Sequence, residues 1–328
     1  MTSVQPRPFA DLTPDVVLAA LEALGLRCDG RLLALNSYEN RVYRVGQENG
    51  PPLVAKFYRP GRWSDEAILD EHGFTAELAA EELDVVAPMA IAGQTLHHHG
   101  NYRVAVFASV GGRAPEPGDR QTLLRLGQLI GRLHMVGARQ PFQHRPELTI
   151  ERMGRESATW LLDSQWLPEH LVEPFRQVSR HALDAVTALW QQAGDPPSLR
   201  LHGDLHMGNI LVREQGLSVV DLDDCLNGPA VQDLWMLVSG EGDDLRRQVG
   251  WLLEGYSVFR DADLRQWHLM EALRSLRLLQ HNAWIARRWH DPAFPAAFPW
   301  FAGHQHWESL VGQLHEQLAA MQDPVPLF

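Results

Sequence analysis

Cysteine is almost missing from this chain of 328 residues: Cys28 and Cys225 are the only two. That excludes a disulfide framework and agrees with a reducing compartment. No apolar run approaches the roughly 18 residues of a membrane-spanning helix, and Met1 to Asp11 lacks the apolar core of a signal peptide. The expectation is a cytoplasmic protein with no membrane partner. Positive charge is scarce as well. Lys and Arg number 29 against 41 Asp and Glu, a net charge of −12. Nucleic acid is therefore not expected as a partner, because phosphate backbones bind basic faces. Neither Gly-x-Gly-x-x-Gly nor Gly-x-x-x-x-Gly-Lys-Ser/Thr occurs, which excludes a P-loop.

What is present is globular: 45% hydrophobic residues, 21% charged, and length enough for two cores. Thr13-Pro14-Asp15 opens a helix with a capping hydroxyl and a first-turn proline. Short strands are expected over 32–35, 41–45 and 53–58, then a helix from Ser64 to about Leu83. Two more strands are expected over 87–91 and 102–107, with a polar turn at His97 to Gly100 between them. After the breaker Val110-Gly111-Gly112-Arg113-Ala114-Pro115 the pattern becomes helical, over 121–136, 150–162, 168–192, 243–259 and 263–290. Short strands interrupt it at 199–201, 210–212 and 218–222. The expected class is α+β. A small antiparallel β-rich N-lobe crossed by one helix spans 1–109, and a larger, mainly helical C-lobe spans 110–328.

The chemistry concentrates in His202-Gly203-Asp204-Leu205-His206-Met207-Gly208-Asn209, followed by Val219-Val220-Asp221-Leu222-Asp223-Asp224. Metal-dependent phosphoryl transfer from ATP needs a carboxylate to orient the attacking hydroxyl and take its proton. It also needs an amide oxygen and a second carboxylate to hold Mg²⁺ on the phosphates. Asp204, Asn209 and Asp221 have the spacing for those three roles. The plainer readings are Asp204 as a turn cap and Asp221-x-Asp223 as a lone Asp-x-Asp metal site. His206 either donates to the transferred phosphate or braces its loop, and Asp233 reads as a support of that loop through backbone amides.

Lys56 stands in the apolar strand Val54-Ala55-Lys56-Phe57-Tyr58, and a buried ammonium needs an anion. Glu71 shares a helical stripe with Ile68, Phe74 and Leu78, so its carboxylate needs a partner too. A Lys56–Glu71 pair beside ATP phosphates satisfies both. The turn Asn36-Ser37-Tyr38-Glu39-Asn40 replaces a glycine-rich loop and either holds phosphates through Ser37 and backbone amides or is a plain hairpin turn. His97-His98-His99 reads as a solvated loop rather than a metal site. Arg274, Arg277, Arg287 and Arg288 read as an ion-paired helix surface by default, the alternative being a face toward an anionic substrate or phosphate.

His-Gly-Asp-x-His-x-x-Asn, the strand-borne aspartate after it, and Leu126-Gly127-x-x-x-Gly131-Arg132-Leu133-His134 resemble the aminoglycoside phosphotransferase/choline kinase-like family. That resemblance implies a two-lobed protein-kinase-like fold. A narrower resemblance is to bacterial Ser/Thr protein kinases of stress response within it. This one is carried by Leu35 to Val42, Lys56-Phe57-Tyr58-Arg59-Pro60, Ser109 to Arg113 and Asp221 to Trp235. It implies Asp204 as proton acceptor, Asn209 and Asp221 as Mg²⁺ ligands, and Ser37 in contact with ATP. Gly203 replaces the arginine of His-Arg-Asp, and the short Asp221–Asp233 interval has no room for a long activation loop. The expected function is ATP- and Mg²⁺-dependent transfer to protein Ser or Thr hydroxyls. The alternatives are a small-molecule kinase acting on an amino alcohol, sugar or aminoglycoside hydroxyl, and an inactive nucleotide-binding regulator.

Overall fold

The computed structural model describes residues 8–322. They divide into two compact units. The first comprises the described residues up to Ala114 with Gln143–Arg145 and Ile210–Asp223. The second comprises Pro115–Phe142, Pro146–Asn209 and the described residues from Asp224 onward.

In the first unit, α1 (Pro14–Glu22) begins where Thr13 Oγ1 accepts the Val16 N–H. Strands β1 (Cys28–Ala34), β2 (Arg41–Gln47), β3 (Leu53–Phe57), β4 (His97–His99) and β5 (Tyr102–Ala108) form an antiparallel five-stranded sheet in the order β1-β2-β3-β5-β4. Side chains alternate across a strand. Ala55 and Phe57 therefore join Val17 and Leu21 of α1 in one core cluster, and Lys56 projects to the other face. There α2 (Asp65–Ala80), capped by Ser64, buries Ile68, Glu71, Phe74 and Leu78.

The partner of β5 is not the expected strand over 87–91. That stretch makes only isolated bridges, Pro88 with Phe107 and Ile91 with Gln94, and a proline has no N–H for a ladder. The expected polar turn supplies the edge strand β4, with His97 opposite Val104 and His99 opposite Tyr102. The reversal falls one step later, at Gly100 with φ +58°. Polar side chains suit an exposed edge.

Hairpin strands β7 (Ile210–Arg213) and β8 (Gly216–Val219) pack in this unit, although the sequence expectation grouped them with the residues after 109. Asp84 draws them in: it accepts from Arg213 Nη1 at 2.9 Å and Ser218 Oγ at 3.1 Å. Its carbonyl takes the Val219 N–H at 2.9 Å.

The second unit contains α3 (Arg120–Gly137), a π-helical turn Glu151–Arg155 leading into α4 (Glu156–Asp163), α5 (Glu169–Gln192), and strands β6 (Leu199–Leu201) and β9 (Leu226–Gly228), which pair antiparallel. It continues through α6 (Gly242–Tyr256), α7 (Met270–Arg288), α8 (Ala293–Ala297) and α9 (His304–Gln322). Helices α3 and α6 meet backbone to backbone. A Cβ on Gly127 would lie 2.1 Å from the Leu252 carbonyl oxygen, and one on Gly255 2.0 Å from that of Leu124. Helix α9, absent from the sequence expectation, buries Trp307, Leu310, Val311 and Leu314. An antiparallel sheet toward the N-terminus and a helical C-terminal part make up the expected α+β class.

Candidate active site

Lys56 enters the first unit's interior from the central strand β3, and a set of carboxylates meets it. Its Nζ lies 2.9 Å from Asp223 Oδ1, 3.4 Å from Glu71 Oε1 and 3.6 Å from Asp221 Oδ1. Burial alone would push the amine down, but Asp223 and Glu71 override this and hold it well above its ordinary value, so Lys56 is charged. Burial likewise works to raise Asp223, and Lys56, Arg62 and Arg145 reverse the sign, leaving its carboxyl well below the usual range. Glu71 is lifted by burial, which Lys56 and Arg145 offset only in part.

The two aspartates differ in what they have left to offer. Asp223 is committed: besides Lys56 it accepts from Asn40 Nδ2 at 3.0 Å and from Arg62 Nη1. The Asp221 side chain is 59% exposed against 5% for Asp223. Asp221 also sits at φ +62°, in the left-handed region, which non-glycine residues adopt at some cost and commonly at functional sites. Of the pair, Asp221 is the one with oxygens to present to a cation. The lone Asp-x-Asp metal reading fails, because Asp223 is turned into its own ion pairs. Among the described residues no group of three or more His, Cys, Asp or Glu is arranged to hold a metal ion.

The 36–40 turn between β1 and β2 is held without glycines. Asn40 Oδ1 accepts the Arg59 N–H at 3.0 Å, and Glu39 Oε1 lies 2.9 Å from Arg59 Nε. Both side chains are buried, so the turn is bolted to the segment after β3. Beside it lies a cavity of about 260 Å³ reached by Ser37, Asn40, Lys56, Glu71 and Asp221. Val42, Val54, Leu211 and Val220 give it apolar walls. Of the sequence-derived set, Ser37, Lys56, Glu71 and Asp221 thus line one cavity of the first unit; Asp204 and Asn209 belong to the second.

Arg145 was missed from the sequence. Its Nη2 donates to Glu71 Oε2 at 2.7 Å, its Nη1 to the Asp223 carbonyl at 2.8 Å and its Nε to the Ala67 carbonyl at 2.8 Å. Just before it, the N–H groups of Gln143 and His144 donate to Asp70 Oδ2 at 3.0 and 2.7 Å. Residues 143–145 therefore strap α2 in place and fix Glu71. Nothing near Arg145 in the chain announces this, since Glu71 is 74 residues away.

In the second unit the loop after β6 carries Asp204. Gly203 has φ +86°, and a Cβ there would lie 2.3 Å from the Asp224 carbonyl oxygen. That explains glycine where protein kinases have arginine. Asp233 accepts the N–H groups of His202 and Gly203, both at 2.8 Å. His134 Nε2 backs Asp233 at 3.2 Å, and His134 Nδ1 lies 3.0 Å from Tyr256 Oη. The loop-support role expected of Asp233 is what these bonds do. Asn209 Nδ2 donates to the Asp204 carbonyl at 2.9 Å, closing the loop.

The Asp204 carboxylate meets Arg277, whose Nη1 donates to Oδ1 at 2.6 Å, and His206 Nε2 lies 3.6 Å from Oδ2. Burial works to raise Asp204, and the Arg277 guanidinium outweighs it, so the carboxyl is held below its ordinary value and ionised. The default reading of the arginine cluster holds for Arg274, which pairs with Glu271 at 2.9 Å. Arg287 stacks over Trp160 at 5.1 Å. Arg277 departs from that default, and its partner 73 residues away gave no local signal.

Comparison with known proteins identifies the family. Residues 31–279 match the model of a phosphotransferase enzyme family. Stress response kinase A of Escherichia coli (strain K12) is 43% identical over 316 residues, covering 96% of this chain and 95% of that protein. A serine/threonine protein kinase from Salmonella typhimurium (strain LT2) is 41% identical over the same shares. Two solved structures share the fold at low identity. A microcompartment-associated aminopropanol kinase has a TM-score of 0.71 at 20% identity, covering 95% of this chain and 100% of that one. An amicoumacin kinase in complex with AMP-PNP, Ca²⁺ and Ami has a TM-score of 0.70 at 18%, covering 95% and 94%. The chain belongs to the phosphotransferase enzyme family, the aminoglycoside phosphotransferase/choline kinase-like group whose motifs it carries.

Proposed function

We propose that this phosphotransferase is an ATP- and Mg²⁺-dependent kinase that phosphorylates Ser or Thr hydroxyls of proteins, in the cytoplasm and in a stress response. The observation that carries phosphoryl transfer is the charged Lys56, held by Glu71 and Asp223 at a cavity that Asp221 also lines. The protein acceptor rests on the likeness to Stress response kinase A across nearly the whole of both chains.

In this reading Lys56 binds the nucleotide phosphates, and Glu71 with Arg145 keeps its ammonium in place. Ser37 and the amides of the 36–40 turn take further phosphate oxygens, and Val42, Val54, Leu211 and Val220 enclose the base. Hard oxygens suit Mg²⁺, and the exposed Asp221 carboxylate with the Asn209 amide oxygen is the donor set. Asn209 spends its amide nitrogen on the Asp204 carbonyl, and its amide oxygen is the atom offered to the cation in this reading. When bound, Mg²⁺ neutralises charge on the phosphates. Asp204 orients the acceptor hydroxyl and takes its proton as the new O–P bond forms. The bond from the γ-phosphorus to its bridging oxygen breaks, and ADP leaves.

The second reading is transfer to a small-molecule hydroxyl. The solved neighbours named for aminopropanol and amicoumacin favour it. Incubation with γ-labelled ATP and Mg²⁺, with generic protein acceptors or an amino alcohol and aminoglycoside panel, separates the two. Label on Ser or Thr supports the protein kinase, and label on a small molecule alone overturns it.

A further inference from the structure

The guanidinium beside Asp204 carries information about the acceptor. Arg277 projects from α7, and His281 and Trp284 follow it at four- and three-residue steps, on one helical face. The Arg277–Asp204 contact is not a buried strut, for the two side chains are 36% and 29% exposed. Solvent reaches both. His281 adds no positive charge, because burial and the neighbouring Arg277 depress it to about 4. Its ring lies 5.5 Å from Trp284 and 6.2 Å from Phe298. From Arg277 toward Trp284, α7 thus presents one guanidinium followed by an uncharged aromatic surface. The carboxylate that faces Arg277 is Asp204, and it is already paired.

A hydroxyl with an ammonium close to it faces like charge here, and binding would require it to displace Arg277 from Asp204. A hydroxyl flanked by carboxylates meets the opposite situation. Nη1 is spent on Asp204, but a guanidinium carries five N–H donors in a planar fork suited to a carboxylate. Resting on the assignment of Asp204 as the acceptor base, we infer that Arg277 is a specificity-determining residue. It selects Ser or Thr with Asp or Glu neighbours and rejects acceptors carrying an amine beside the hydroxyl.

The test uses the full chain with γ-labelled ATP and Mg²⁺ and two short Ser peptides. The peptides differ only in having aspartates or lysines beside the Ser, and 1-amino-2-propanol is a third acceptor. The quantity read is the ratio of kcat/KM for the aspartate peptide to that for the lysine peptide, in wild type, Arg277→Lys, Arg277→Gln and Arg277→Glu. A variant that folds poorly lowers both values and leaves the ratio unmoved, so the ratio reports charge and not stability. The expected ratio is about tenfold or more in wild type, a difference of about 1.4 kcal/mol. It stays high in Arg277→Lys, falls toward unity in Arg277→Gln and inverts in Arg277→Glu. Phosphorylation of both peptides with one ratio across all four proteins overturns the inference and leaves the protein-kinase reading standing. Phosphorylation of 1-amino-2-propanol and of neither peptide overturns both.

Discussion

Lys56 gathers the carboxylates of Glu71, Asp221 and Asp223 around it, and these residues divide into those that hold it and those that it serves. Asp223 and Asp221 lie two positions apart with opposite environments, one buried in ion pairs and one open. Asp223→Asn leaves Arg62 and Lys56 short of a buried counter-charge, and loss of one partner of such a set costs about 3–5 kcal/mol. Asp221→Asn keeps a residue that tolerates positive φ and alters an exposed side chain, so its stability stays within about 0.5 kcal/mol of wild type while phosphoryl transfer is lost. Urea denaturation alongside a transfer assay checks both, and the reverse pattern would exchange the roles of the two aspartates. His72 gives a separate prediction. It is wedged between Tyr58 Oη at 2.9 Å and Thr95 Oγ1 at 2.8 Å. Burial, with Lys56, Arg145 and His97 beside it and only Asp223 opposing, depresses it from 6.5 to about 3. Below pH 6.5 the unfolded chain takes up a proton that the folded chain refuses. Stability is therefore whole above that pH and falls as pH drops toward 3, by up to about 1.4 kcal/mol per unit. The urea midpoint of wild type should fall more steeply between pH 7.5 and 5 than that of His72→Gln; parallel slopes would show that His72 is not the proton site. At this scale the spacing Asp204, Asn209, Asp221 was readable because a single loop and hairpin carry it. Arg145, Arg277 and the commitment of Asp223 were not, since each depends on partners brought close only by the fold.

Among the elements, α2 shows how a chain with little room for an activation loop fixes its Lys–Glu pair. The helix is tied by Asp70 to the 143–144 amides and by Arg145 to the Ala67 carbonyl and Glu71. The Arg145 guanidinium also lies over Trp63 at 4.4 Å. Arg145→Ala strands a buried Glu71 oxygen and releases the strap, with a stability loss of about 3 kcal/mol or more and faster amide exchange along α2. Arg145→Lys restores one charge without the fork and should recover only part of both. Exchange in α2 indistinguishable from wild type would mean that the helix is held by its apolar stripe alone. Which elements were legible follows from how local their signals are. The caps of α1 and α2, the stripe of α2 and strands β2, β3 and β5 announced themselves through residues a few positions apart. The edge strand β4 did not, because three histidines look like a turn until β5 offers a ladder. The Gly127–Gly131 pattern was legible as a motif, but its reason was not. The reason is the carbonyl of α6, 2.1 Å from where a Cβ on Gly127 would stand.

For the molecule as a whole, family and fold agree along the chain, from the match over residues 31–279 to a relative aligned over 96% of it. The net charge of −12 makes the half-buried Arg277 beside Asp204 the more telling, since a site built for cationic acceptors would need no guanidinium there. Fold class was legible in the sequence as a change of period, from alternating strands to long helical stripes. The grouping of residues 210–223 with the first unit was not, because it depends on the Asp84 contacts. The central claim is that Asp204 accepts the proton of a protein hydroxyl as the γ-phosphate of ATP is transferred to it. The most direct measurement is the rate of ³²P incorporation into a protein acceptor, from γ-labelled ATP with Mg²⁺, by wild type and by Asp204→Asn of matched thermal stability. Label on Ser or Thr, lowered by about 10²–10⁴-fold in the variant, is the predicted result. Equal rates in the two proteins, or label confined to small-molecule acceptors, would contradict it.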